Sequence, residues 1–251
     1  MDWLDTRYYY ILLMLLSISF PLLRSFEHRL RFYNNWFALA LSITIMMTIF
    51  IPWDIIFTSL EIWYFNDRYI LGYKFLKLPL EEWMFFICIP YSCIFIHEVL
   101  NYFFPLKKIR FKIHRWTRWV ALLILLIGVV FWNKMYTCVC FILCGGFLIL
   151  CQRNSNLLLT SLYRTYLVCL IPFFIVNGIL TGSITNEPIV IYEDFHNTTL
   201  RILTIPIEDF IYCFLMLGLT IWTYESLKQK NLGFLQGFLR SGRDSNSRPH
   251  A

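Results

Sequence analysis

The chain alternates between long apolar runs and short charged segments, and that alternation limits its fold more than any other feature. A helix needs about 20 apolar residues to cross the hydrocarbon core of a bilayer. Seven runs approach that length, at 8–23, 36–53, 80–104, 116–132, 135–151, 165–180 and 205–227. Only 15% of the 251 residues are charged and 58% are hydrophobic, against about 25% charged and 45–50% apolar in a soluble domain. The pattern predicts an all-α integral membrane protein with seven transmembrane helices. The fourth and fifth runs are separated only by Asn133 and Lys134, which reads as a tight helical hairpin, with one interrupted segment as the alternative.

The basic residues orient these spans. Arg24, Arg29 and Arg31, the group from Lys107 to Arg118, Arg153, Arg164 and five residues after Glu225 fall on one side, 16 of the 22 Lys and Arg. The positive-inside rule makes that side cytoplasmic, with the N-terminus outside and the C-terminus in the cytoplasm. The expected location is the cytoplasmic membrane, as a multi-pass protein. Asp2 and Asp5 stand where a signal peptide would be basic, so the first run is expected to remain as a helix. The net charge of +6 is explained by basic loops facing anionic lipid headgroups, and no nucleic-acid partner is expected.

A shift of 127 residues superimposes two parts of the chain. Asp67 falls on Asp194, Lys74 on Arg201, Pro79 on Pro206, Glu81 on Glu208, Glu82 on Asp209 and Glu98 on Glu225. The same shift lays the first run on the fifth and the second on the sixth. The expected architecture is a parallel tandem repeat of three helices, one linker helix and three helices, its halves related by an axis along the membrane normal. The boundaries read as 1–104 for the first repeat, 105–134 for the basic loop and linker helix, and 135–228 for the second repeat. A cytoplasmic tail expected to be disordered follows at 229–251, its end after Leu239 polar and without periodicity.

The third and seventh runs open on Pro79-Leu80-Glu81-Glu82 and Pro206-Ile207-Glu208-Asp209. Proline suits a first helical position, and carboxylates suit the positive end of the helix dipole. Capping needs one acid, however, and each motif carries two, followed at once by hydrophobic residues. Ionisable groups at the margin of a span are functional candidates. Four carboxylates brought together between the halves could not all be ionised, and a shared proton is the expected compromise. Asp54, after Pro52-Trp53 at the outer end of the second run, and Asn177, near the outer end of the sixth, share this level. Asn177 is equally readable as a site residue or an interhelical hydrogen bond. Glu98 and Glu225 lie about 25 Å further along their helices and are expected to pair with Lys107 or Lys228 at the cytoplasmic end.

The eight cysteines all lie in or beside apolar runs and read as reduced packing residues. His97, His114 and His196 show no mutual spacing for a metal and read as interfacial. No Gly-x-Gly-x-x-Gly or P-loop occurs, so neither a nucleotide site nor a redox cofactor is indicated. No Lys lies within 205–227, which argues against a retinal Schiff base. Some of the 9 Trp, 15 Tyr and 24 Phe, if near the acidic motifs, could stabilise a cation through their π faces.

Leu78-Pro79-Leu80-Glu81-Glu82-Trp83-Met84-Phe85-Phe86, running on to His97-Glu98, resembles the lycopene cyclase domain of the membrane, heterodimeric or fused type. So do Thr204-Ile205-Pro206-Ile207-Glu208-Asp209-Phe210, running on to Tyr224-Glu225, and Asn177-Gly178-Ile179-Leu180-Thr181-Gly182. The resemblance covers roughly residues 5–228. It implies a lycopene β-cyclase, closing the linear ends of lycopene into β-ionone rings by acid–base chemistry, with no redox change, cofactor or metal. Its implied partners are lycopene dissolved in membrane lipid and, through association, other enzymes of carotenoid synthesis. The candidate catalytic residues are then Glu81, Glu82, Glu208 and Asp209. Pro79, Phe85, Phe86, Pro206, Phe210, Asn177, Asp54, Glu98 and Glu225 are candidate substrate-binding or supporting residues. A non-enzymatic carotenoid-binding, retinal-binding or transport protein on a seven-helix scaffold is the alternative reading.

Overall fold

The computed structural model describes residues 6–106, 113–153 and 155–245, the last stretch as backbone alone beyond residue 229. Seven α-helices carry the architecture: α1 (Tyr9–Arg24), α2 (Trp36–Ser59), α3 (Leu80–Phe103), α4 (Ile113–Val130), α5 (Met135–Cys151), α6 (Asn156–Leu180) and α7 (Ile207–Ser245). By length and composition, five stretches can cross a membrane: Phe32–Ser59, Leu80–Phe103, Ile113–Val130, Asn156–Leu180 and Ile207–Gln229. The helices Tyr9–Arg24 and Met135–Cys151 are apolar but shorter, at 16 and 17 residues. They occupy equivalent places under the 127-residue shift, so the short opening helix belongs to the repeat unit itself.

Several boundaries differ from the expected spans. The second helix does not stop at Trp53 but runs through Pro52 to Ser59, so Asp54 lies inside it. Proline is carried within α1, α2, α3 and α6, at Pro21, Pro52, Pro90 and Pro172. Apolar helices tolerate this because neighbouring groups take up the freed carbonyls. The sixth helix starts earlier than expected, at Asn156, where the Ser155 side chain accepts the Leu158 N–H at 3.2 Å and caps it. The seventh continues to Ser245, so helical backbone extends well into the segment expected to be a disordered tail. Residues 246–251 lie outside the described residues.

Short hairpins link the helices at one end of the bundle and repeat in the two halves. β2 (Lys74–Phe75) pairs with β3 (Leu78–Pro79), and β5 (Arg201–Ile202) pairs with β6 (Ile205–Pro206). Each hairpin is tied by an equivalent ion pair, Lys74–Asp67 at 2.8 Å and Arg201–Asp194 at 3.1 Å. The prolines close these hairpins instead of opening the helices: helix begins one residue later, at Leu80 and Ile207. That corrects their expected position and leaves Pro79 and Pro206 buried beneath the helix starts.

A third pairing joins the halves. β1 (Trp63–Phe65) runs antiparallel to β4 (Val190–Tyr192), with Tyr64 opposite Ile191. The two strands are equivalents under the 127-residue shift, and they meet at equivalent central residues. That is the contact of a two-fold axis, as in a symmetric dimer. Below the ribbon, α1 packs on α3 and α5 on α7 within the repeats, while α2 packs on α7 and α3 on α6 across them.

Candidate active site

The starts of α1, α3, α5 and α7 and the ends of α2 and α6 meet beneath the β1–β4 ribbon, around a cavity of about 400 Å³. Three carboxyl groups line it: Asp54, Glu82 and Asp209. They are 1%, 8% and 4% exposed. The expected four-acid cluster therefore forms differently. Glu82 and Asp209 enter it as expected and Asp54 joins them, but Glu81 and Glu208 do not line the cavity.

The separation follows from helix geometry, because successive side chains diverge by about 100° around an axis of 3.6 residues per turn. Glu81 turns away and accepts the backbone N–H of Leu71 at 2.7 Å. Its repeat equivalent, Glu208, accepts the N–H of Thr198 at 2.8 Å and the hydroxyl of Thr137 at 2.7 Å. Leu71 and Thr198 are themselves equivalent under the shift. These two buried glutamates pin the loop that precedes each helix start.

Glu82 and Asp209 are held differently. Glu82 accepts the Tyr10 hydroxyl at 2.6 Å, and Asp54, lining the same cavity, accepts the Trp63 indole N–H at 2.6 Å. Asp209, in contrast, receives three donors: Tyr136 at 2.6 Å, Asn177 at 2.7 Å and Tyr192 at 2.9 Å. This set suits an acceptor-only carboxylate. Asn177 is thus both of its expected alternatives at once, an interhelical hydrogen bond and part of the cavity wall. Burial, reinforced by Asp209 alongside, pushes the Tyr192 phenol well above its ordinary pKa, so Tyr192 remains a donor at neutral pH.

Aromatic rings form part of the remaining wall. Trp63, Tyr136, Tyr192 and Tyr212 line the cavity together, with Trp63 and Tyr136 at 5.1 Å and Tyr136 stacked on Tyr192 at 5.9 Å. Tyr10 and these four rings were not singled out from the sequence. The repeat holds a partial signal for them, since the shift lays Tyr9 on Tyr136 beside Tyr10. Phe85 lines the cavity, whereas Phe86 is buried against Phe50, and Phe210 packs on Phe173 and Phe174. Those two, like Pro79 and Pro206, support the walls from behind.

Glu98 and Glu225 stand apart, as expected from their distance along the helices. Glu98 pairs with Lys228; Lys107, the other expected partner, lies outside the described residues. Glu225 meets His97 Nε2 at 3.0 Å. His97 is fully buried, which corrects its expected interfacial place, and its Nδ1 contacts Thr165 Oγ1 at 2.9 Å. The ligand atoms of His97, Glu98 and Glu225 lie within 4.8 Å of one another, a grouping that sequence spacing did not reveal. The Lys228 ammonium already supplies the positive charge there. All eight cysteines are present as thiols, seven of them buried.

No curated protein and no solved structure matches the chain. A family model described as lycopene cyclase matches it twice, over residues 7–100 and 133–227. The two matched segments coincide with the two halves that meet at the β1–β4 ribbon, which is the pattern of a tandem repeat. Taken with the apolar helices and the shared acidic cavity, this places the chain in the lycopene cyclase family, as a membrane protein built from two fused copies of the family's domain.

Proposed function

We propose that this protein is a lycopene β-cyclase that closes the linear ends of lycopene into β-ionone rings without redox change. The observation that carries the reading is the convergence of differently held carboxyl groups in one largely apolar cavity: Glu82, which accepts the Tyr10 hydroxyl, and Asp54, which accepts the Trp63 indole N–H, share it with Asp209, which receives three donors. Glu82, with Asp54, delivers a proton to the terminal alkene. The resulting tertiary carbocation is attacked by the internal double bond, closing the six-membered ring. Asp209 removes a ring proton to form the ring double bond, so one proton enters and one leaves. Trp63, Tyr136, Tyr192 and Tyr212 present π faces that stabilise the cation between these steps and exclude the water that would quench it. The first product is γ-carotene and the second β-carotene.

Charge distribution supports the orientation with the acidic cavity towards the outer face of the cytoplasmic membrane, because most basic residues flank the opposite helix ends. The deciding experiment is expression in a lycopene-making bacterium with chromatography of the pigments. Cyclic carotenes are the expected outcome. Unchanged lycopene in the presence of folded protein would sink the proposal, and a purified protein carrying stoichiometric unaltered chromophore would redirect it to carotenoid binding.

A further inference from the structure

The cavity is a slot rather than a sphere. Glu82 and Ile96 both line it, and on α3 they stand about 21 Å apart at 1.5 Å per residue. Spread over that length, a volume of about 400 Å³ leaves a mean cross-section on the order of 20 Å², room for one hydrocarbon chain in single file. The two ends of the slot differ. The acidic end is closed by the β1–β4 ribbon. The other end is walled by Phe20 and Pro21 of α1 and by Pro172 and Phe173 of α6, with Ile96 behind them.

That second wall faces outward. Phe20 is 65% exposed while still lining the slot. It sits about 15 Å along α1 from Tyr10, at hydrocarbon depth for a core about 30 Å thick. The hydroxyls nearby donate to backbone carbonyls, Ser17 to Leu13 at 2.7 Å and Ser92 to Ser17 at 2.9 Å. Pockets of about 300–1,000 Å³ bury drug-sized ligands. This slot sits near the lower limit, and an extended forty-carbon polyene exceeds it.

We propose that the gap between Phe20–Pro21 of α1 and Pro172–Phe173 of α6 is a lateral portal. One end of a linear polyene enters through it from the bilayer interior, and the rest of the chain stays in lipid. Each end is then handled in a separate visit. The substrate class rests on the cyclase reading above; the portal itself rests on the shape of the slot.

The test uses the full chain in liposomes with two probes, lycopene and a twenty-carbon acyclic polyene bearing the same end group. Ser17→Trp narrows the portal, and Leu16→Trp, on an exposed neighbouring position, is the control. Binding is read as induced circular dichroism in the visible band of lycopene, which needs no turnover. Ring formation is read by chromatography. Ser17→Trp, in protein that keeps the wild-type melting temperature, should lower ring formation from both probes at least about tenfold and abolish the induced signal, while Leu16→Trp keeps both. Ring formation and induced signal unchanged in Ser17→Trp would overturn the portal. Induced signal in the wild type, lost in Ser17→Trp, with no ring formed from either probe would preserve the portal and reject the cyclase. A second measurement needs only the wild type: with labelled lycopene and an added pool of unlabelled one-ring product, the label in the two-ring product should be diluted by that pool. Undiluted passage to the two-ring product would overturn separate visits.

Discussion

Glu81 and Glu82 are chain neighbours with different surroundings: the first is tied to the backbone N–H of Leu71, and the second accepts the Tyr10 hydroxyl and lines the cavity with Asp54. Their substitutions should therefore separate. Glu82→Gln and Asp209→Asn remove a proton donor and a proton acceptor, and general acid–base groups of this kind contribute about 10²–10⁴-fold. Pigment from cells expressing either variant should remain mostly lycopene with the protein still in the membrane. Glu81→Gln keeps a carbonyl oxygen for Leu71 and should retain most ring formation; its complete loss would move the chemistry back to Glu81. Asn177→Leu strips one of three donors from Asp209, and a hydrogen bond to a charged group is worth about 1.5–3 kcal/mol. A roughly tenfold or larger fall in initial rate is expected. The doubled acids could be read from sequence because they are adjacent and repeated. Which acid of each pair faces the cavity could not, since that depends on helix rotation. Nor could the sharing of one cavity by Glu82 and Asp54, which lie on different helices and require α2 to continue through Pro52.

At the level of single elements, the two-residue turn between β2 and β3 is unusual. Leu76 and Lys77 have φ of 51° and 70°, the mirror-image turn that normally selects Asn-Gly. Left-handed backbone costs a non-glycine residue roughly 1–2 kcal/mol. Lys77 is exposed, so Lys77→Gly should raise the melting temperature of the solubilised protein, by about 1 kcal/mol of stability; a lower melting temperature would contradict this backbone assignment. The α4–α5 hairpin depends on close approach in the opposite sense. A side chain at Gly145 would meet Leu125 Cγ at 2.5 Å, and small residues at helix contacts in membranes serve this purpose. Gly145→Leu should destabilise the fold by about 1–3 kcal/mol, read as earlier thermal aggregation. The hairpin itself was apparent from Asn133 and Lys134. The strands were not, because two- and three-residue pairings carry no periodicity of their own.

Across the whole molecule, the cavity draws its walls from both repeats: Asp54 and Glu82 come from one, Asn177 and Asp209 from the other. Co-expressed fragments 1–104 and 105–251 should thus restore ring formation, while each alone gives none. Cyclic carotene from a single fragment would show that one half suffices. The repeat was legible at this scale because the shift of 127 preserves charged positions, and the family model matches the chain twice. The extent of the last helix was not, since Lys228, Gln229, Lys230 and Asn231 interrupt the apolar run after Leu227 and read as its end.

The symmetric strand pair has a historical consequence. In an assembly of two identical subunits, every position near the axis occurs twice, and a mutation that improves one side of the site alters the other equally. Joining the copies in one gene lifts that restriction. Position 54 keeps aspartate where its counterpart, 181, is threonine, and position 177 is asparagine where its counterpart, 50, is phenylalanine. The ribbon centred on Tyr64 and Ile191 keeps the two-fold pairing, while the residues on either side of it, Asp54 and Glu82 against Asn177 and Asp209, are no longer the same.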